Sequence, residues 1–334
     1  MNPNHVVAFS AKPYDEAYLV QASTDDVNFR CYDLNLNSTT ATMANGAQIV
    51  SAFVNDDLNT DTLEVLAAGG TELIALRCAG YNQVDLAVAK QLGISVVNVP
   101  AYSPYAVAEH TVALMLALSR KLPRSYNRVR DGNFSLDGLL GFDFHGKKVG
   151  IIGGGKIGRL VGERMSAFGC EVIIHEPINP QPCIDQGFEV VALDQLLMES
   201  DIISLHCPLT EDTRYIIDTG AILKMKQGVM LINTSRGGLV DTAAVLSALK
   251  KHKVAYLGMD VYEQEGSLFF DDHSSEIIQD DVFQRLITLP NVLITGHQAY
   301  FTKEALRHIS ETTVANIVAF VTQQPLINEV KVRL

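Results

Sequence analysis

The sequence, 334 residues long, is poor in cysteine, poor in charge and without a long apolar run. Its five cysteines, Cys31, Cys78, Cys170, Cys183 and Cys207, are odd in number and irregularly spaced, and no Cys-x-x-Cys occurs. That pattern supports neither a disulfide framework nor a zinc site, and no metal is expected. Charged residues make up 19% of the chain and hydrophobic ones 47%, which excludes a disordered or collagen-like chain. Positive charge is the scarcer sign: 26 Lys and Arg against 38 Asp and Glu give a net charge of −12. Such a chain repels phosphate backbones and anionic lipid, so neither nucleic acid nor a membrane is expected as a partner. The one basic cluster, Arg120, Lys121, Arg124, Arg128 and Arg130, reads as a solvated helix end. The longest apolar stretch, residues 111–119, is far too short to span a bilayer. The N-terminus, MNPNHVVAFSAKPYDEAYL, lacks a basic region followed by a long apolar stretch, so no signal peptide and a cytoplasmic location are expected.

What is present is alternation. At about 150 residues per domain the length allows roughly two domains. Short apolar runs at 5–9, 48–53, 73–77 and 94–99 read as strands, with helical patterns at 58–68 and 84–92 that Gly69-Gly70 and Gly93 stop. A second series has strands at 148–152, 171–175, 202–206, 229–233, 254–260 and 292–295. Helical patterns at 157–168, 194–198, 220–225 and 242–250 lie among them. Strands alternating with helices imply parallel sheets covered on both faces, hence an α/β protein of two Rossmann-like units. Between the series runs a long helical pattern, 104–130. Its apolar residues Val107, Ala108, Val112, Leu114, Met115 and Leu118 lie on more than one side, which places it in a core or at a subunit contact.

The strand 148–152 runs into Gly153-Gly154-Gly155-Lys156-Ile157-Gly158, a G-x-G-x-x-G between a strand and a helix. Gly153 permits the tight turn, Gly155 lets backbone approach a diphosphate, and Gly158 lets the helix pack on the strand. Free amides at the helix start then bind the diphosphate. Glu176, 23 residues after Gly153, ends the next strand and can accept hydrogen bonds from ribose hydroxyls. It would repel a 2′-phosphate, and Pro177 rather than Arg follows it, so NAD is favoured over NADP. The ordinary alternative is a glycine-rich turn beside a surface glutamate.

Three polar residues stand just beyond separate strands: Arg236 in Asn233-Thr234-Ser235-Arg236-Gly237-Gly238, Glu265 six residues into Asp260–Glu265, and His297 in Thr295-Gly296-His297-Gln298-Ala299. Open α/β sheets bind ligands at the carboxyl ends of strands, so the three can converge beside a nicotinamide. Each has a plainer reading: Arg236 as a surface arginine near a turn, Glu265 as a solvated member of the acidic stretch 263–281, His297 as a hydrogen-bonded loop histidine. The Asp271-Asp272-His273 cluster reads as a hydrated loop rather than a metal site, and His206 as packing near the cofactor.

These motifs resemble the D-isomer-specific 2-hydroxyacid dehydrogenases, most of all the bacterial fermentative D-lactate dehydrogenases. The resemblance also rests on Arg77-Cys78-Ala79-Gly80-Tyr81-Asn82, Val99-Pro100-Ala101-Tyr102-Ser103-Pro104 and His206-Cys207-Pro208-Leu209-Thr210. Leu268-Phe269-Phe270 and Ile278-Gln279-Asp280-Asp281-Val282-Phe283 point to the lactate branch. It implies a flavodoxin-like substrate domain, 1–101 and 299–334, an NAD-binding Rossmann domain, 102–298, and a cleft between them. It implies reversible reduction of a 2-oxo acid such as pyruvate to D-lactate. Arg236 would grip the substrate carboxylate as a bidentate fork, and His297 would exchange the proton at the C2 oxygen. Glu265 would orient the imidazole and stabilise its charged form. Cys78, Ala79 and Gly80 would contact the carboxylate through backbone, and Tyr102 through its hydroxyl, with Tyr300 and Phe301 crowding the pocket. Cofactor contacts would come from Gly153, Gly155, Lys156, Ile157, Gly158 and Glu176, and from Cys207, Pro208, Thr213, Thr234, Ser235, Arg236 and Asp260. Glu176 stands where Asp is usual and Thr213 where many relatives have Asn. Family members usually dimerise through the cofactor domain, which makes 104–119 the candidate contact in a homodimer or larger homo-oligomer. Other readings within the same fold are a D-hydroxyisocaproate-type enzyme for larger 2-oxo acids and an NAD-sensing binding protein without turnover.

Overall fold

In the computed structural model, residues 4–24 and 27–331 are described. The chain divides into two compact units, Met1–Ser103 with Phe301–Leu334, and Pro104–Tyr300.

The first unit is built on five parallel strands, β1 (Asn4–Ala8), β2 (Val27–Cys31), β3 (Ile49–Ala52), β4 (Leu73–Leu76) and β5 (Ser95–Val97), in the order β2-β1-β3-β4-β5. β3 and β4 are buried at every position, as expected of strands covered on both faces. The helices Thr60–Ala68 and Leu86–Gln91 begin at Asn59 and Asp85, whose side chains accept from backbone amides of the first turn. The C-terminal helix Lys303–Val321 contributes Ile317 to the core formed by Val6, Val27, Ile49, Leu73 and Val97. The helix Pro13–Ala22, β2 and the helix Lys303–Val321 are additions to the elements expected from sequence. Pro13–Ala22 buries Leu19 alone, too little to give a periodic apolar stripe.

The second unit has seven parallel strands: β6 (Lys148–Ile152), β7 (Glu171–His175), β8 (Glu189–Val190), β9 (Ile202–Leu205), β10 (Val229–Asn233), β11 (Val254–Met259) and β12 (Val292–Ile294). Their order is β12-β11-β10-β9-β6-β7-β8, so the direction of progression reverses between β6 and β9. Alternate residues feed two cores. Ile151, Ile174, Ile202 and Ile232 pack under the helices Pro104–Ser119 and Lys156–Ala167. Ile152, Ile173, Ile203, Leu231 and Leu257 face the opposite layer. Each side chain fully buried in this way contributes about 1.5–3 kcal/mol, so strand register is strongly fixed.

The expected helix 104–130 is two helices, Pro104–Ser119 and Leu122–Arg130. The break has a local cause. Pro123, in the first turn of the second helix, lacks an N–H and its ring clashes with the carbonyl four residues earlier. Lys121 takes up the change of direction in left-handed backbone, φ 51°. Val107, Ala108, Val112, Leu114, Met115 and Leu118 of the first of these helices are all buried within the unit, as the core placement expects. Exposed apolar residues follow it, with Phe134 at 75%, Leu136 at 81% and Leu140 at 86% exposure. Among the described residues, no helix is long and apolar enough to cross a membrane, and no cluster of three His, Cys, Asp or Glu could hold a metal.

Candidate active site

The reversal of strand order between β6 and β9 opens the sheet at its carboxyl edge, and the glycine turn lies there. Gly153 has φ 101°, and a Cβ on it would come within 2.4 Å of the Cys207 amide nitrogen. A Cβ on Gly158 would lie 2.0 Å from the Gly153 carbonyl oxygen. Neither position admits a side chain without moving backbone. Gly155 is different: a Cβ there meets nothing within 4 Å. It is the N-cap of the helix Lys156–Ala167 and offers no side-chain cap, so the first amides of that helix have no capping side chain as acceptor. Lys156 is exposed and Ile157 half-buried beside them. This cradle suits a diphosphate, which supplies the missing acceptors at the positive end of the helix dipole.

Glu176 accepts from the Gly154 N–H (2.9 Å) at Oε2 and from the Ile178 (3.0 Å) and Asn179 (3.2 Å) N–H groups at Oε1. The longer glutamate therefore braces the glycine turn as well as presenting negative charge there. Both oxygens retain acceptor capacity for a ribose diol.

After β9, His206 donates its backbone N–H to the Ile152 carbonyl (2.7 Å). Its ring bonds Ser204 Oγ at 2.8 Å, and desolvation pushes its pKa down to about 3, which removes it as a proton donor. Burial pushes the Cys207 thiol up to about 11, so it packs as a neutral group. The Thr213 hydroxyl donates to the Pro208 carbonyl (2.6 Å) and accepts from the Thr210 N–H (2.8 Å), closing the 208–213 loop on itself.

After β10, Asn233 organises the next turn, accepting from the Ser235 N–H (3.1 Å) and donating to the Arg236 carbonyl (2.8 Å). The Ser235 hydroxyl donates to the Cys207 carbonyl (2.7 Å), and Thr234 Oγ1 meets Thr111 Oγ1 at 2.8 Å. Gly237 is pressed against the Tyr262 carbonyl carbon, 2.1 Å from where a Cβ would stand. The Arg236 turn thus abuts the turn that follows β11. The Arg236 side chain is half-buried, with Nη1 on the Ser235 carbonyl at 2.7 Å.

That second turn holds Glu265, whose Oε2 accepts from the Tyr262 N–H at 2.8 Å while Oε1 meets His297 Nδ1 at 2.8 Å. His297 follows β12. Its backbone is left-handed, φ 52°, and its N–H donates to the Asp260 carbonyl (2.7 Å). Asp260 is 0% exposed; its carboxylate accepts from the Gln298 (2.9 Å) and Ala299 (2.8 Å) N–H groups and from the Thr295 hydroxyl. The Phe270 and Tyr300 rings flank the imidazole at 5.7 and 6.4 Å between centroids. Since β10, β11 and β12 are neighbours in the sheet, Arg236, Glu265 and His297 leave from adjacent strand ends. An ionised Glu265 accepts the Nδ1 proton, which leaves Nε2 to exchange a proton with another molecule. Asn233 and His110, the latter 3.1 Å from Thr295 Oγ1, are site residues that sequence reasoning missed.

In the first unit, Cys78, Ala79 and Gly80 follow β4. The Cys78 thiol donates to the Gly80 carbonyl (3.1 Å), and Asn98 Nδ2 donates to the Ala79 carbonyl (2.8 Å). Arg77 lies buried under this loop, donating to the Phe9 (2.7 Å) and Ser10 (3.0 Å) carbonyls and to Ser51 Oγ (3.0 Å). Tyr102 is half-buried near the end of that unit's first segment, and Phe301 packs edge-on against Tyr14 at 4.8 Å.

Residues 112–299 match the model for the NAD binding domain of D-isomer specific 2-hydroxyacid dehydrogenases. The chain belongs to the D-isomer specific 2-hydroxyacid dehydrogenase family. It is 50% identical over 317 residues to D-lactate dehydrogenase kk1H of Curvularia clavata, covering 93% of this chain and 91% of that protein. Among solved structures it is similar to the pyruvate reductase of Chlamydomonas reinhardtii, with a TM-score of 0.92, 42% identity and 98% of each chain covered. It is also similar to D-lactate dehydrogenase from Aquifex aeolicus complexed with NAD and lactic acid, with a TM-score of 0.88 and 35% identity over 98% of this chain and 100% of that one.

Proposed function

We propose that this member of the D-2-hydroxyacid dehydrogenases is an NAD-dependent D-lactate dehydrogenase. The observation that carries the reading is the 2.8 Å His297–Glu265 pair at the carboxyl ends of the same sheet whose β6 end carries the glycine turn. NAD fits the uncapped amides at Gly155 and the carboxylate of Glu176. When bound as NADH it supplies a hydride to C2 of pyruvate. His297 delivers a proton from Nε2 to the carbonyl oxygen, yielding lactate; in oxidation the neutral ring takes that proton back. Glu265 holds the ring by Nδ1 and stabilises it while it is charged. Arg236 orients the substrate carboxylate and polarises the carbonyl. Cys207, Pro208, Thr213, Thr234, Ser235 and Asp260 line the cofactor side in this reading. Tyr300, whose ring stands 6.4 Å from the imidazole, contacts the substrate.

The proposal includes association with a second copy, which would cover Phe134, Leu136 and Leu140. Chiral analysis of the lactate formed from pyruvate and NADH tests the reaction, and L-lactate would overturn it. Comparing kcat/KM for pyruvate, 2-oxoisocaproate and phenylpyruvate tests the substrate. One methylene in such a pocket discriminates by about 1–3 kcal/mol, so pyruvate losing by about tenfold would make this a branched-chain enzyme. Tight NADH binding without turnover would make it a sensor.

A further inference from the structure

We propose that His110, on the helix Pro104–Ser119, is a positioning residue for the His297 turn, acting through Thr295 and Asp260. The inference deepens the reduction proposed above and rests on that reading.

His297 occupies left-handed backbone, which a residue with a side chain keeps only where its surroundings overdetermine it. Its ring is tied to Glu265, but its main chain is tied to Asp260. That residue's carbonyl receives the His297 N–H, and its carboxylate receives the Gln298 and Ala299 amides and the Thr295 hydroxyl. One buried carboxylate therefore sets the path of the chain on both sides of His297.

A hydroxyl has one proton, and that of Thr295 goes to Asp260 Oδ1. Thr295 Oγ1 must then accept from His110 Nε2, 3.1 Å away, so that nitrogen carries a proton. The same N–H lies 3.4 Å from Asp260 Oδ1. His110 thus brings a donor from a sequence-distant helix to a carboxylate buried away from bulk solvent. A buried charge is tolerated in proportion to such donors. Removing this one leaves Thr295 Oγ1 with an unfilled acceptor and loosens the Asp260 anchor, so the imidazole no longer meets Glu265 and the substrate in one fixed geometry.

His110→Leu keeps bulk and deletes the donor, whereas His110→Gln keeps an N–H at similar reach. The measurements are kcat and KM with pyruvate and NADH, NADH affinity by fluorescence, and the downfield proton resonance of the His297 Nδ1–H, assigned by its loss in His297→Gln. His110→Leu should lower kcat about tenfold, change NADH affinity by less than that, and broaden or shift the resonance. His110→Gln should restore both. An unmoved resonance in His110→Leu, or a His110→Gln variant as impaired as His110→Leu, overturns the proposal. Should His110→Leu fail to fold, Thr295→Val against Thr295→Ser repeats the comparison at the other end of the bond, with loss and retention expected in turn. A native protein that never reduces pyruvate would fail the functional reading alone, since the resonance still reports on the turn.

Discussion

Arg236, Glu265 and His297 divide the proposed chemistry so that each can be changed with a different expected result. Arg236→Lys replaces a planar fork with a single ammonium. We expect KM for pyruvate to rise and kcat to fall, with kcat/KM lower by about one to two orders of magnitude; steady-state kinetics at saturating NADH reads this. Glu265→Gln removes the charge that supports the protonated imidazole. Reduction needs that form, so its pH–rate profile should move to lower pH, and an unmoved profile would uncouple the two residues. Cys207 gives a solution test that needs no substrate. With its thiol pushed up to about 11, only about one part in a thousand is thiolate at pH 8. Mass spectrometry after mild maleimide treatment should find it unlabelled in the folded protein and labelled in guanidinium. The candidate acid–base pair could be picked out from sequence because each member stands just past a strand. Asn233 and His110 could not, because their importance lies in bonds to Arg236 and Thr295 that only the fold brings within reach.

Elements were legible where burial writes a pattern. β6, β7 and β10 coincide with the apolar runs expected, since the middle of a strand covered on both faces is apolar. β8 has two residues, and β2 carries asparagine and arginine; neither pattern distinguishes a strand from a turn. The break after Ser119 was hidden because the basic residues that follow are good helix formers, and Pro123 is compatible with the first turn of a new helix. Lys121 holds left-handed backbone there at a strain of about 1–2 kcal/mol. Lys121→Gly should relieve roughly 1 kcal/mol of it, measurable as a higher urea midpoint with an unchanged slope. A lower midpoint would show that the lysine contact with the Gly138 carbonyl outweighs the strain.

At the scale of the molecule, length and alternation were enough to indicate two parallel-sheet units, because each βαβ repeat consumes a fixed length of chain. Which strand neighbours which is not written in periodicity; the position of the glycine turn at the reversal of strand order follows from topology alone. Self-association belongs to this scale as well. Light scattering is expected to give at least twice the 36.5 kDa chain mass. Exchanging Leu136 and Leu140 for aspartate should return the single-chain mass if the exposed 134–140 segment is the contact.

The first unit is written in two instalments, with the second unit between them. During synthesis the strands Asn4–Ala8 to Ser95–Val97 leave the ribosome long before Ile317, the side chain that completes their core. Pro104–Tyr300 is one uninterrupted stretch and can mature while the earlier sheet is still waiting. A chain stopped at residue 300 should therefore yield to limited proteolysis throughout its first hundred residues, yet keep a protease-resistant fragment beginning near Pro104.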